Sequence, residues 1–290
     1  MGPSAEVTRP PRVAVIGPAA WNHIIVLERL PEPRPHMQSA LDSWWTVGGT
    51  SAGKALHLHD LGADVTLVTP IADDGAGALL LDALRSTGLT VVPVHSRVTE
   101  SHTNLMTRGG DRVSLYTAAP QSASARDVAS AADQARHAEA VVADMSPLGR
   151  ATLPQLADLG VPIWTDAHDW NGVDEYHRDF VDAADVVVLN DDGGGDRDAL
   201  MSDVLATGAR LVIRTLGAHG AVAVDAGGSW HRVPAEHVDA MIDTNGAGDA
   251  FTAGAMLASL GGASAGDVMR AGARQALRAL GTRHLSPLLD

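Results

Sequence analysis

Between residues 124 and 189 the chain alternates between segments with apolar residues at helical spacing and short, uninterrupted apolar runs. The helical segments cover 124–139, 151–159 and 175–183, and the apolar runs cover 140–143, 162–165 and 186–189. Short strands buried on both faces and connected by helices form parallel sheets, because parallel neighbours need a long crossover connection. The sequence therefore predicts the α/β class, with helices on both faces of a mostly parallel sheet.

The N-terminal part of the chain adds further strands. The predicted strands cover 13–16, 24–27, 38–47 and 65–68, and the predicted helices cover 51–61 and 77–85. In the segment 91–117, short β-type runs surround the turn Gly109-Gly110-Asp111, a pattern that favours antiparallel hairpins. No linker rich in proline, glycine or serine divides the chain. We therefore expect one domain over 1–290, with an added β layer formed by roughly 21–47 and 91–118.

Charge and cysteine content exclude several classes of function. The chain has 21 Lys and Arg against 35 Asp and Glu, a net charge of -14, so we expect neither a nucleic acid nor a membrane as a partner. It has no cysteine, which excludes disulfides, a thiolate nucleophile and cysteine-based metal sites. The N-terminus lacks the pattern of a secretion signal, so we expect a cytoplasmic protein. Lys54 is the only lysine.

The most informative motif is Asp-Thr-Asn-Gly-Ala-Gly-Asp at 243–249, which opens a predicted helix rich in small residues. Amides at a helix N-terminus and the positive end of the helix dipole favour an anion such as a phosphoryl group. Asp249 lies just inside this helix, where a carboxylate is kept ionised and could accept a proton from an attacking hydroxyl. A simple helix cap would account for the aspartate but not for the whole motif.

With this motif the sequence resembles the ribokinase-like (PfkB) family of carbohydrate kinases, whose signature is a DTxGAGD run that opens a helix. The glycine pair 48–49 and the run 72–77 are similar to the family's N-terminal motifs. The resemblance implies a three-layer α/β/α fold with a small β-sheet lid that often forms a dimer interface. It also implies an ATP-dependent kinase that uses Mg²⁺ and, in some members, K⁺.

The resemblance assigns roles to residues on the nucleotide side. Asp249 takes the position of the catalytic base, and the amides of Gly246, Ala247 and Gly248 that of the anion hole. Thr215, Gly217 and Gly220 match the nucleotide motif T-x-G-x-x-G, and Asn190 matches an asparagine that faces the phosphates and the metal. Asp243 corresponds to a position near the monovalent-cation site.

On the substrate side the chain departs from the family pattern. Asn22 stands where sugar kinases commonly have an aspartate, Gly53 replaces the usual asparagine of GG-x-x-x-N, and Gly193 replaces a glutamate linked to magnesium. Gly272 stands where an adenine-side asparagine is frequent. The residues predicted to bind the acceptor are Asn22, Gly48, Gly49, Thr50, Lys54, Asn104 and Asp166.

Two of these predictions have alternatives. Lys54 either pairs with an anionic or hydroxyl-rich substrate or is a solvated helix residue. Asp166 lies with His168 and Asp169 at the carboxyl end of a predicted strand, where α/β sheets bind ligands, although the loop could equally cap the next helix. The run 48–54 also fits the P-loop pattern G-x-x-x-x-G-K, but Ala55 follows where magnesium binding needs Ser or Thr.

The sequence therefore predicts transfer of the γ-phosphoryl group of ATP to a hydroxyl of a small, sugar-like molecule. A nucleoside is the alternative acceptor, because Asn245 within the motif is similar to the adenosine-kinase branch of the family. Trp21, Trp44 and Trp45 offer faces on which a base or a sugar could stack. A catalytically silent sugar- or nucleotide-binding homologue is the third possibility, and a homodimer through the lid is expected.

Overall fold

The computed structural model describes residues 9–238 and 241–290 and contains two sheets. The large sheet has nine strands in the order β13-β12-β11-β10-β9-β8-β1-β4-β5, and its neighbouring pairs are parallel except β11–β12 and β12–β13, so that only β12 runs against the other strands. Its strands are β1 (Arg12–Ile16), β4 (Asp64–Ile71), β5 (Thr90–His95), β8 (Ala140–Ala143), β9 (Ile163–Asp166), β10 (Val186–Leu189), β11 (Leu211–Thr215), β12 (Ala221–Asp225) and β13 (Trp230–Val233). The mostly parallel sheet predicted from the alternating pattern is confirmed.

The small sheet has four strands in the order β3-β2-β6-β7. They are β2 (Ala20–Leu27), β3 (Asp42–Gly48), β6 (Glu100–Thr107) and β7 (Arg112–Ala118). The β6–β7 pair is the predicted antiparallel hairpin, whereas β2 and β6 run parallel. One part of the prediction is wrong: β5 pairs in parallel with β4 at the edge of the large sheet, so the second lid segment begins at Glu100 and not at residue 91.

Eight α-helices lie in the part of the chain that the structure describes; six of them stand between strands, and the other two follow the last strand. They are α1 (Thr50–Asp60), α2 (Gly75–Ser86), α3 (Ala125–Ala135), α4 (Pro147–Ala157), α5 (Glu175–Ala183), α6 (Arg197–Ala206), α7 (Ala247–Leu260) and α8 (Ala265–Leu280). Ser124 and Ser264 cap α3 and α8, as acceptors of amide N–H groups three residues ahead. Helix α4 begins earlier than predicted, because Ser146 caps it and Pro147 supplies its first residue.

Helices cover both faces of the large sheet. On one face, Leu56 of α1, Met256 of α7 and Met269 of α8 pack against the strands with no exposed side-chain surface. On the other face, α3 to α6 supply residues such as Leu148, Phe180 and Met201 to a second core. The three layers match the predicted ribokinase-like architecture. No helix among the described residues is long and apolar enough to span a membrane.

Candidate active site

The candidate site begins where the strand order of the large sheet reverses. From β1 the chain continues outward to β4 and β5, whereas β8 to β11 extend in the opposite direction. At such a switch point the loops after neighbouring strands diverge and leave a crevice that binds ligands. Gly17 follows β1 and Asp144 follows β8; a Cβ at Gly17 would lie 2.8 Å from that of Asp144. Glycine at 17 therefore leaves room for the side chain of Asp144.

Lys54 of α1 lies at the centre of three carboxylates beside this crevice. Its Nζ lies 2.8 Å from Asp249 Oδ1, 3.2 Å from Asp144 Oδ2 and 3.3 Å from Asp166 Oδ2. The Lys54 side chain has 0% of its surface exposed. Ser51, one turn earlier on the same helix, donates its hydroxyl to Asp144 Oδ2 at 2.8 Å. Carboxylates from α7, from the end of β9 and from the residue after β8 thus converge on one ammonium group.

Gly53 allows Asp249 to reach Lys54. A Cβ at residue 53 would lie 2.6 Å from Asp249 Oδ2 and 2.9 Å from its Cγ, which is closer than real contacts allow. The asparagine that the family pattern has at this position would therefore collide with Asp249 as it stands here. The departure at Gly53 is explained by the space that the carboxylate occupies.

Burial and charge act on this cluster in opposite directions. Burial raises the pKa of Asp249, the Lys54 ammonium opposes that effect, and the resulting pKa is about 6. Burial would also raise the pKa of Asp166, but the positive charges of His168 and Lys54 outweigh it and the pKa falls below its ordinary value. For Lys54, burial favours the neutral amine, yet the three carboxylates raise its pKa overall. The cluster therefore combines one ammonium with a carboxyl that titrates near neutral pH.

Asp249 projects from the first turn of α7, at the predicted anion-binding end. Gly246 is the N-cap and has a φ of 80°, and a Cβ there would lie 2.9 Å from the carbonyl oxygen of Leu285. The Ala247 amide donates to Thr244 O at 3.4 Å, and the first intrahelical bond runs from Ala250 N to Gly246 O. Nothing lies within 4 Å of the Cβ position of Gly248. The helix N-terminus thus faces open space beside Gly248.

Asn22 and Asn104 lie on one face of the small sheet. In the register of β2 and β6, Asn22 pairs with His102 and Ile24 pairs with Asn104, so the two amides are diagonal neighbours. Both asparagines are 4% exposed, and the Oδ1 atom of each has no hydrogen-bond partner. Buried amide oxygens normally have a partner, so these two mark a place where a ligand hydroxyl or amine would be accepted.

The same face is connected to the loop before α7. Arg112, which pairs with Met106 across the β6–β7 hairpin, donates from Nη1 to Asn245 Oδ1 at 3.1 Å. Thr46, which pairs with Asn22, contacts His284 Nδ1 at 2.7 Å. The face that carries the asparagines is therefore directed toward the C-terminal part of the site.

The glycine pair before α1 is required by close packing. A Cβ at Gly48 would lie 2.0 Å from Asn22 Nδ2, and one at Gly49, where φ is 91°, would lie 2.5 Å from Pro18 O. Gly49 is the N-cap of α1, and Thr50 is its first residue. The pair thus lets β3 and α1 approach both the β1–β2 connection and the Asn22 side chain.

The residues predicted on the nucleotide side follow β10 and β11 at the same carboxyl-end edge of the large sheet. Asn190 follows β10, and Thr215 is the last residue of β11. Gly217 and Gly220 have φ values of 54° and 89°, and a Cβ at Gly220 would lie 2.0 Å from Val233 O. These residues share an edge with Asp144 and Asp166, but β11 stands three strands away from β8.

The departure at Gly193 also has a structural cause. A Cβ at Gly193 would lie 2.1 Å from Asp169 O and 2.5 Å from Arg197 Nη1. Arg197 itself donates to Trp170 O and to Asn190 O, both at 2.6 Å. A glutamate at 193 would displace this buried arginine. Arg197 was not predicted as part of this site, because nothing in its local pattern distinguishes it from a surface helix residue.

Asp243 lies in the loop before α7, where its Oδ1 accepts the amide of Asn245 at 2.9 Å. Burial raises the pKa of Asp243, and the amide bonds to it only partly offset that effect. Within 9–238 and 241–290, no group of three or more histidine and acidic side chains has the arrangement of a metal site. The assignment of Asp243 to a monovalent-cation site stays a prediction.

Three interpretations of the sequence change with this geometry. Lys54 has no exposed surface and is held by carboxylates, so it is neither a solvated helix residue nor free to touch a substrate directly. For the same reason its ammonium is unavailable for the phosphates of a P-loop. Trp21 and Trp45 lie on the face of the small sheet opposite Asn22, where Trp45 stacks on His23 at 4.4 Å. Trp44 shares the face of the asparagines.

Asp144 and Ser51 join the site without having been assigned to it from the sequence. A signal was present for Asp144, which directly follows a buried strand, at the end where parallel sheets bind ligands. Ser51 gives no such signal, because its role depends on the distance between α1 and β8.

Comparison with known proteins agrees with this architecture. The model of the pfkB family carbohydrate kinases matches residues 11–287. The acarbose 7(IV)-phosphotransferase of Actinoplanes sp. is 32% identical over 268 residues, which cover 90% of this chain and 89% of that protein.

Solved structures give the same picture. A microbiome-derived acarbose kinase, Mak1, superposes with a TM-score of 0.83 at 29% identity, covering 95% of this chain and 94% of its own. The ribokinase of Arabidopsis thaliana, solved with ribose and ATP, has a TM-score of 0.77 at 21% identity over 96% of this chain and 95% of its own. A nucleoside kinase of Burkholderia thailandensis, in complex with inosine, has a TM-score of 0.77 at 17% identity, with 96% and 93% covered.

Proposed function

The chain belongs to the pfkB family of carbohydrate kinases and is an ATP-dependent phosphotransferase that acts on a hydroxyl; from this premise we propose that its acceptor is a carbohydrate and that Asp249 is the catalytic base. The observation that carries the proposal is the position of Asp249. Its carboxylate is buried in the first turn of α7, with Oδ1 bonded to Lys54 and about a tenth of the side chain exposed.

In the proposed reaction the acceptor hydroxyl gives its proton to Asp249 Oδ2 as its oxygen attacks the γ-phosphorus of ATP. The bond between the γ-phosphorus and the β,γ-bridging oxygen breaks, and ADP leaves with that electron pair. A carboxyl with a pKa of about 6 is ionised at neutral pH and is still basic enough to take a proton. The proton is lost to solvent after product release.

The N-terminus of α7 would stabilise the charge that develops on the transferred group. Amides of Gly246, Ala247 and Gly248 lie at the positive end of a 14-residue helix. The space beside Gly248 supports this role, because a phosphoryl group can approach the backbone there. Since the Ala247 amide has a long bond to Thr244 O, it would need only a small change to donate to a ligand.

We assign the nucleotide to the edge formed by Asn190, Thr215, Gly217 and Gly220, where the two glycines allow a close approach of the backbone. Mg²⁺ would be held near Asn190 by Asp191 and Asp192, because carboxylate oxygens, phosphates and waters are the ligands that it takes. When bound with ATP, the ion supplies neutralisation of phosphate charge. K⁺ beside Asp243 would favour the ionised form of that carboxyl, so we expect activity to rise with K⁺.

For the acceptor we propose a carbohydrate of the acarbose type, held by Asn22 and Asn104. The proposal is supported by the acarbose phosphotransferase at 32% identity over most of both chains. The unpartnered amide oxygens suit hydroxyl donors. The predicted contacts of Gly48, Gly49 and Thr50 with the acceptor remain part of this proposal, whereas Asp166 would act through Lys54.

The outer face of the small sheet is our proposed dimer interface. Trp45, Val113 and Leu115 lie on this face and are 54%, 40% and 48% exposed. An open groove of about 420 Å³ lies between the face and Leu79 of α2. Apolar side chains exposed together mark an association surface. Sedimentation of the wild type against Trp45→Glu, which should give a monomer, tests this interface.

The function is tested by measuring ADP release from Mg-ATP with acarbose, simple sugars, sugar phosphates and nucleosides. The proposal predicts release with a carbohydrate and its loss in Asp249→Asn, with ATP binding retained. If only nucleosides stimulate ADP release, the acceptor is a nucleoside and not a carbohydrate. If ATP binds but no acceptor stimulates ADP release, a catalytically silent homologue is favoured.

A further inference from the structure

Lys54 has no exposed side-chain surface and forms an ion pair with Asp249, and it is not consumed by the proposed reaction. Its partners come from α7, from the end of β8 and from β9, so it connects helix α7 to the carboxyl-end edge of the large sheet. Resting on the proposed role of Asp249, we propose that Lys54 is a positioning residue that holds Asp249 through Oδ1 and leaves Oδ2 to accept the proton.

The hydrogen bonds distinguish the two oxygens of Asp249. Oδ1 accepts from Lys54 Nζ at 2.8 Å, whereas Oδ2 accepts no hydrogen bond from the described residues. Gly53 packs directly against Oδ2, and any side chain at residue 53 would displace the carboxylate from this position. The orientation of the base is therefore set by the adjacent pair Gly53 and Lys54.

Asp144 and Asp166 hold the other end of the arrangement. Without them, the fully buried Lys54 ammonium would have Asp249 as its one charged partner, which is costly because the desolvation of a buried charge is then poorly compensated. Ser51 bonds to the same oxygen of Asp144 as Lys54 does, which restrains that carboxylate. The ammonium is thus anchored on the large sheet and directed at α7.

The charges around Asp249 give the proposal an electrostatic signature. They are Lys54 from α1, Asp144 after β8 and Asp166 of β9, with His168 beside Asp166. Lys54 lowers the pKa of Asp249, whereas Asp144 and Asp166 raise it. Removing Lys54 and removing Asp144 should therefore shift the acid limb of the rate profile in opposite directions.

The test compares Lys54→Met with Asp144→Asn in the full-length protein. For Lys54→Met we expect kcat to fall on the order of 100-fold, which is the usual loss of rate when a catalytic group is misplaced. The KM for ATP should change little. Its acid limb should move up by about one to three pH units. For Asp144→Asn the acid limb should move down. An unchanged kcat in Lys54→Met, or limbs that move in the same direction, would overturn the proposal.

Gly53→Ala covers the case in which Lys54→Met does not fold. Alanine favours a helix over glycine, so a loss of activity in a folded variant would report displacement of Asp249. Full kcat in Gly53→Ala, or an acid limb in Asp144→Asn that stays or rises, contradicts the inference. If Asp249→Asn remained active, the proposed base itself would fail; if only the Lys54 variant behaved as wild type, the positioning role alone would fail.

Discussion

As the pH is lowered, this kinase should lose activity at a higher pH than is usual for an enzyme with a carboxylate base. Burial raises the pKa of Asp249 from its ordinary 3.8 to about 6, despite the opposing charge of Lys54. A base with this pKa is ionised to about one-tenth at pH 5, whereas an ordinary carboxylate would be more than nine-tenths ionised. Because only the ionised form accepts the proton, kcat at pH 5 should be roughly a tenth of its value at pH 8.

The assay is direct quantification of ADP at saturating Mg-ATP and acceptor, in buffers of constant ionic strength between pH 4.5 and 8.5. The affinity for ATP is measured over the same range, because protonation of ATP would otherwise imitate the effect. Thermal unfolding at each pH shows that the protein stays folded. A kcat that stays constant down to pH 5 would refute the idea that a buried Asp249 must be ionised for the reaction.

Three further changes follow from the same geometry. Between pH 4 and pH 8 the free energy of unfolding of the wild type should fall relative to that of Asp249→Asn by roughly 3 kcal/mol in denaturant titrations, because the protonated carboxyl contributes stability that is present below its unfolded pKa and lost as the pH rises through about 6. A relative stability that does not change between these pH values would contradict the raised pKa of Asp249. Asn22→Ala should raise the KM for the acceptor up to about tenfold, because one hydrogen bond to it is lost, and should leave the KM for ATP unchanged. An equal change in both KM values would show that Asn22 does not belong to the acceptor site. Gly220→Ala should lower stability by about 1–3 kcal/mol and weaken ATP binding in calorimetry, because the new Cβ would lie 2.0 Å from Val233 O; unaltered ATP binding would separate this turn from the nucleotide.

The fold was predictable because its signals are local. The alternating pattern of 124–189 leads to α3, β8, α4, β9, α5 and β10 in that order, and the bounds of α5 and β10 agree with the sequence analysis. Placing β5 in the small sheet was wrong, because a short apolar strand fits either sheet and only its pairing with β4 decides between them. The edge strand β13 was missed, since the sequence Trp-His-Arg-Val of Trp230–Val233 has no alternation of apolar and polar residues.

The site was predictable only in part. The sequence by itself determined the family, the helix that carries Asp249, and the glycine turns at 48–49 and 246, because these need a particular residue type at a particular place along the chain. Only the tertiary structure decided that Lys54 faces three carboxylates rather than solvent or substrate, and that Gly53 makes space for Asp249. Lys54 and Asp249 lie 195 residues apart, and the pKa of each depends on burial and on charges that distant strands bring together, which no local pattern encodes.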